Sequence, residues 1–155
     1  MRPIRLRRTG YKSNRIPAAH RHTPEIEQTL TELAGRDVAI TFVPHLLPVA
    51  RGIVSTLYAK ANASFEEIYA AYAAFYQNER FVRVLPMGKA ANLKHVCMTN
   101  ECRISLHFDA HTGRLIVVSA IDNMVKGAAG QALQNMNLVF GLPEDAGLNL
   151  VAPAF

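Results

Sequence analysis

The stretch RISLHFDAHTGRLIVVSAIDNMVKGAAGQALQNMNLVFGL, residues 103–142, holds two alternating apolar runs joined around DAHTG, followed by a run in which apolar residues recur every three or four positions. A period of two marks a half-buried strand and a period near 3.6 marks a helix. The stretch therefore predicts a hairpin over 103–121. It also predicts a helix over 122–140, closed by Gly141, with Val125, Ala128, Ala129, Ala132, Leu133 and Met136 along one stripe.

Reading outward, FVRVLP (81–86) is a short strand. The segment SFEEIYAAYAAFYQNE (64–79) opens with Ser64 and Glu67 in capping-box spacing and continues with Ile68, Tyr72 and Phe75 on one face, which predicts a helix. VARGIVSTLYAKA (49–61) and DVAITFVPH (37–45) read as strands. Thr23 with Pro24 behind it is a good helix start, and Ile26, Leu30 and Leu33 follow at helical spacing up to Gly35. Helices alternating with groups of strands predict an α+β domain on an antiparallel or mixed sheet.

The chain has 155 residues, half of them apolar, enough for one domain with a core. Its net charge of +5 is uneven. Residues 1–22 hold seven Lys/Arg and no acid, leaving ten basic against twelve acidic residues beyond them. A basic arm could neutralise nucleic-acid phosphates. With one aromatic residue in MRPIRLRRTGYKSNR and no recognition-helix pattern, residues 1–18 read instead as a solvated, disordered tail ahead of a domain over 19–155. No apolar run follows the arginines as in a signal peptide, and no run of ~18 apolar residues could span a membrane, so the expected location is the cytoplasm. Cys97 and Cys102 are too few for a disulfide framework and read as reduced, buried strand thiols.

Two histidines one residue apart, His20 and His22, stand directly before the first helix. A metal site would need a third ligand, and alternate positions on an extended segment point to opposite sides. His45 could converge, but no Cys, Asp or Glu lies at ligand spacing nearby, and no metal is assigned. Two exposed loop histidines is one reading. A catalytic base is the other, with Glu25 in the first helical turn orienting the imidazole of His22. Arg51, beyond the proline-bounded turn that carries His45, could clamp a carboxylate or phosphate bidentately or form a surface ion pair. In NMVKGAAGQA the small residues permit a close approach; tight helix-on-sheet packing explains the alanines better than it explains Asn123, Lys126 and Gln131.

Together HRHTPEIEQ (20–28), FVPHLLPVARGI (42–53), MTNECRI (98–104) and SAIDNMVKGAAGQALQNMNLVFGL (119–142) resemble the carboxy-terminal half of the N-acetyl-gamma-glutamyl-phosphate reductases, in order and with family-like gaps. The resemblance implies the glyceraldehyde-3-phosphate dehydrogenase-like substrate and dimerisation domain of a semialdehyde dehydrogenase. It implies a homo-oligomer, an acyl phosphate substrate and NADP as hydride donor. It also implies His22 as the acid/base, His20, Glu25, His45 and Arg51 on the substrate side, and Asn123, Gly127 and Gly130 beside the nicotinamide. Two family features are missing from these residues: a Gly-rich dinucleotide fingerprint and a cysteine ahead of HRH. The expectation is an incomplete reductase, inactive alone. The alternative is a non-catalytic dimerisation module pairing with a separately encoded Rossmann-domain chain.

Overall fold

The alternation around DAHTG folds as the hairpin it predicts. The structure, a computed structural model, describes residues 20–153, so the arm expected over 1–18 lies outside the described residues. Strands β3 (Cys102–Asp109) and β4 (Arg114–Ile121) pair antiparallel, with Asp109 opposite Arg114. The turn is built by Asp109, whose carboxylate accepts from the His111 and Thr112 amides and from the Thr112 hydroxyl, and by Gly113 at φ 65°. That left-handed conformation suits glycine.

The chain divides into two units, Met1–Pro48 and Val49–Phe155. In the second, β1 (Ile53–Lys60) pairs antiparallel with β4, and the short β2 (Val82–Val84) pairs parallel with β3, giving a mixed four-stranded sheet in the order β1-β4-β3-β2. Helix α2 (Phe65–Tyr76) begins with the expected capping box: Ser64 Oγ accepts from the Glu67 amide while the Glu67 carboxylate accepts from the Ser64 amide. Its Phe65, Ile68, Tyr69, Tyr72 and Tyr76 pack on Ile104, Leu106, Leu115 and Val117, the buried apolar centre of the sheet. All eight residues of the edge strand β1 are exposed. Within the described residues, no helix is long and apolar enough to cross a membrane.

The last predicted helix is two elements. Val125–Ala129 is a π-turn, in which the Gly127 and Ala129 amides donate five residues back to the carbonyls of Asp122 and Met124, and α3 (Gly130–Val139) continues from it to Gly141 at φ 67°. The buried stripe also differs from the one predicted. Gly130, Gln134 and Asn137 are the residues buried on α3, while Ala132, Met136, Val139 and Phe140 are exposed. The buried amides are paired: Gln134 accepts from Asn100 and Lys126 and donates to Glu144, and Asn137 donates to the carbonyls of Glu144 and Ala146. Pairing of this kind is what lets polar side chains occupy a buried face.

In the first unit, α1 (Thr23–Ala34) ends at Gly35 in the left-handed region, as predicted. Its cap is His22, not Thr23; Thr23 is the first helical residue, and its hydroxyl is buried without a partner among the described residues. The strand expected over 37–45 does not form. Val38, Ile40 and Phe42 alternate in burial with their neighbours, but the segment joins no ladder and is held by side chains of α1 instead: Thr31 Oγ1 accepts from the Val38 amide and Glu27 Oε1 from the Ile40 amide. A strand is defined by its partner, and α1 offers none.

Candidate functional site

Of the residues singled out from sequence, His20, His22, Glu25 and His45 lie in the first unit and Arg51, Asn123, Gly127 and Gly130 in the second.

His22 is fixed by its position as helix cap. Its carbonyl accepts from the Ile26 amide at 3.0 Å, its own amide donates to His20 Nδ1 at 3.3 Å, and its Nε2 accepts from Arg21 Nε at 3.1 Å. The two imidazoles meet edge to face at 4.9 Å, and His20 makes a second edge contact with Phe42. The structure thus gathers His20 and His22 into one pair. Among the described residues, the partner on the His22 ring is Arg21, and no hydrogen bond joins it to Glu25. His45 is exposed, and its Nδ1 bonds the nearby Val43 carbonyl.

Arg51 and Gly52 stand just past one end of the β1–β4 ladder, opposite Asp122 and Asn123 just past the other strand's end. There the side chains continue what the backbone ladder began. Arg51 Nε and Nη2 donate side-on to Asp122 Oδ2 and Oδ1, each at 2.9 Å, and Asn123 Oδ1 accepts from the Gly52 amide at 2.6 Å. The carboxylate of Asp122 is fully buried and takes three backbone donors besides: Met98 at 2.6 Å, Met124 at 2.8 Å and Val125 at 2.9 Å. Burial by itself would raise its pKa. The five hydrogen bonds outweigh burial and hold the carboxyl well below the usual range. The guanidinium, bonded to Asp122, is held protonated more firmly than an ordinary arginine. Arg51 thus makes a bidentate pair whose carboxylate is the chain's own, which is the ion-pair reading of this residue. Sequence reasoning missed Asp122; an Asp directly between a strand and a helix start was the available signal.

The glycines differ. Gly127 is exposed, and a side-chain carbon there would meet only ordinary contacts. Gly130 is buried beneath Asn100; an added carbon would strike Asn100 Oδ1 and lie 2.7 Å from Val125 Cγ1. The close approach that Gly130 permits is therefore to Asn100, and Asn123 has its carbonyl oxygen on Gly52. Gly130→Ala should cost about 1–3 kcal/mol, the usual penalty for overfilling a packed site; an unchanged thermal midpoint would show that Asn100 can yield.

Both cysteines are free and half-buried; Cys102 is in β3, but Cys97 sits in the turn before it rather than in a strand. Burial pushes the Cys102 thiol up, with Lys126 only partly opposing, which disfavours the thiolate. Among the described residues, no group of three metal-binding side chains converges. A groove of about 210 Å³ lined by Arg80, Phe81, Asn100, Glu101, Leu148 and Asn149 contains none of the sequence-derived candidates.

Comparison with known proteins matches residues 9–123 to the family model for the dimerisation domain of semialdehyde dehydrogenase. Over 141 residues, 89% of this chain, it is 60% identical to an N-acetyl-gamma-glutamyl-phosphate reductase of Brachyspira hyodysenteriae, of which it covers 40%. A protein of the same name from Pelotomaculum thermopropionicum is 62% identical over 84% of the chain and 38% of the relative, and one from Clostridium beijerinckii is 56% identical over 88% and 40%. The chain spans about 40% of the length of the curated relatives it matches.

Proposed function

The chain belongs to the semialdehyde dehydrogenase dimerisation-domain family, and on that premise we propose that it is the substrate-binding and dimerisation part of an NADP-dependent N-acetyl-gamma-glutamyl-phosphate reductase of arginine biosynthesis. In that reading the enzyme works in the cytoplasm and reduces an acyl phosphate to N-acetyl-glutamate semialdehyde. The observation that carries it is identity of 52–62% to reductases of that name over more than four-fifths of the chain.

The roles follow from the chemistry each side chain can offer. In the proposed reduction a cysteine thiolate attacks the acyl phosphate and phosphate departs, leaving a thioester; hydride reduction takes this to a thiohemiacetal, whose oxygen gains a proton and gives it up again as the carbon–sulfur bond breaks to release the aldehyde. His22 is the group assigned to that proton, with His20 holding its backbone and Glu25 on the substrate side. Arg51 and His45 take the anionic end of the substrate. NADP supplies the hydride when bound. Asn123, Gly127 and Gly130 are assigned a place beside the nicotinamide; no glycine-rich fingerprint occurs in these residues, so the main nucleotide site is assigned to the part of the longer reductases that the chain does not span. The exposed Ala132, Met136 and Val139 of α3, its cap Phe140 and the exposed residues of β1 are apolar surfaces suited to burial against further parts of the protein or a second copy, as in a homo-oligomer.

A chimera tests the reading. Residues 20–142 placed in the corresponding stretch of the Brachyspira hyodysenteriae relative should preserve reductase turnover, whereas the 155-residue chain alone should oxidise no NADPH with the acyl phosphate. A folded but inactive chimera would favour the non-catalytic module. Turnover by the isolated chain that disappears in Cys97→Ser or Cys102→Ser would make that thiol the nucleophile.

A further inference from the structure

Three restraints converge on one exposed-edge arginine. Asp122 takes Nε and Nη2 of Arg51 side-on, and Asn123 fixes the next amide, that of Gly52. Gly52 itself is at φ 110°, which favours glycine, and Leu93 occupies the place of a side chain there, with Cδ1 2.9 Å from where a β-carbon would sit. A guanidinium carries five N–H donors in a plane, and the side-on pair consumes two. The remaining three, both on Nη1 and the second on Nη2, point away from Asp122 by the geometry of the plane. The side chain is 33% exposed, and among the described residues Nη1 has no hydrogen-bond partner.

The carboxylate does not need the arginine for satisfaction. Three amides already serve it, from Met98, Met124 and Val125. A counter-ion present only to neutralise Asp122 would not require its own backbone to be fixed as well. An arginine meant to meet a ligand would, because a guanidinium binds an oxyanion well only when its donors are already aimed.

We propose that Asp122 is a positioning residue, which holds the guanidinium of Arg51 so that its outer N–H edge is a preset donor for an oxyanion of the substrate, carboxylate or phosphoryl. The proposal rests on the reductase reading only for the identity of that substrate; the anion site itself belongs to the 155-residue chain.

The test uses inorganic phosphate and acetate as probes. The ¹⁵Nε–¹Hε resonance of Arg51 in the full chain should be sharp, and titration should shift it saturably; the stronger of the two probes identifies phosphoryl or carboxylate as the preferred group. Asp122→Asn should broaden that resonance and weaken binding roughly tenfold, the worth of a charge-assisted hydrogen bond. If freeing the arginine tightens binding or leaves it unchanged, Asp122 is a counter-ion and the proposal fails. It also fails if neither probe moves the wild-type resonance. Should Asp122→Asn not fold, Arg51→Lys carries the test, since Asp122 then keeps its three amides. A point charge that cannot take the side-on pair should lose the probe; full retention would mean that charge alone suffices. In an active chimera, Asp122→Asn should raise KM for the acyl phosphate far more than it lowers kcat. An active chimera with unchanged KM sinks the positioning role while leaving the reductase reading intact, and an inactive chimera does the reverse.

Discussion

Asp122→Ala should lower the stability of the chain by roughly 3 kcal/mol or more, within the lower part of the range for breaking a buried ion pair. The lower part applies because the arginine left behind is a third exposed and regains water. The substitution also strands the amides of Met98, Met124 and Val125, which the carboxylate serves inside the protein. Arg51→Met should cost less, since Asp122 then retains all three. For a chain of this size the loss at Asp122 corresponds to a thermal midpoint lower by about 6–12 °C. Equal midpoints for the two variants would mean that the ion pair, and not the amide cluster, is what the carboxylate contributes.

Acid provides an independent check on the same group. Asp122 is held below the ordinary carboxylate range in the folded chain, while an unfolded Asp titrates near about 3.9. A depressed folded pKa gives stability that is complete above the unfolded value and is lost as pH falls towards the folded one. The stability gap between wild type and Asp122→Ala should therefore be flat from neutrality to about pH 5 and narrow only below about pH 4. A gap that closes between neutrality and pH 5 would point to a histidine.

What was legible in the sequence was local. The hairpin announced itself through alternation on both sides of DAHTG, and Asp109 and Gly113 build the turn from groups within five residues of one another. The capping box of α2 and the left-handed Gly35 are equally short-range. The segment 37–45 shows where that kind of reading ends: alternation tells which side of an extended chain is shielded and says nothing of whether a neighbouring strand exists. The π-turn was hidden for a related reason. Its side-chain pattern is that of a helix, while the widening is in the backbone, beside the Asp122 carboxylate that takes the Met124 and Val125 amides. Arg51 and Asp122 lie 71 residues apart, and nothing in either one's neighbourhood names the other. An aspartate read alone is a surface residue. Only the fold turns it into the buried centre of the site.

In the chimera described above, His22→Ala should reduce kcat by two to four orders of magnitude, about the usual contribution of a positioned acid/base group. The expectation rests on how little freedom the residue has. As cap of α1 its carbonyl is committed to Ile26 and its amide to His20, so the ring leaves the helix start in one direction. The ring nitrogen that a base would use, Nε2, accepts from Arg21. Arg21 is exposed and adjacent in sequence, so turning it aside costs little. Arg21→Ala should then leave turnover within about tenfold of the parent, because it removes a competitor for Nε2 and no reacting group. His20→Ala separates the two histidines. If His20 only orients its neighbour, the loss is smaller than in His22→Ala and falls partly on KM. A larger loss in His20→Ala, with His22→Ala near wild type, would exchange their roles, and full activity in both would remove the pair from the proton transfer.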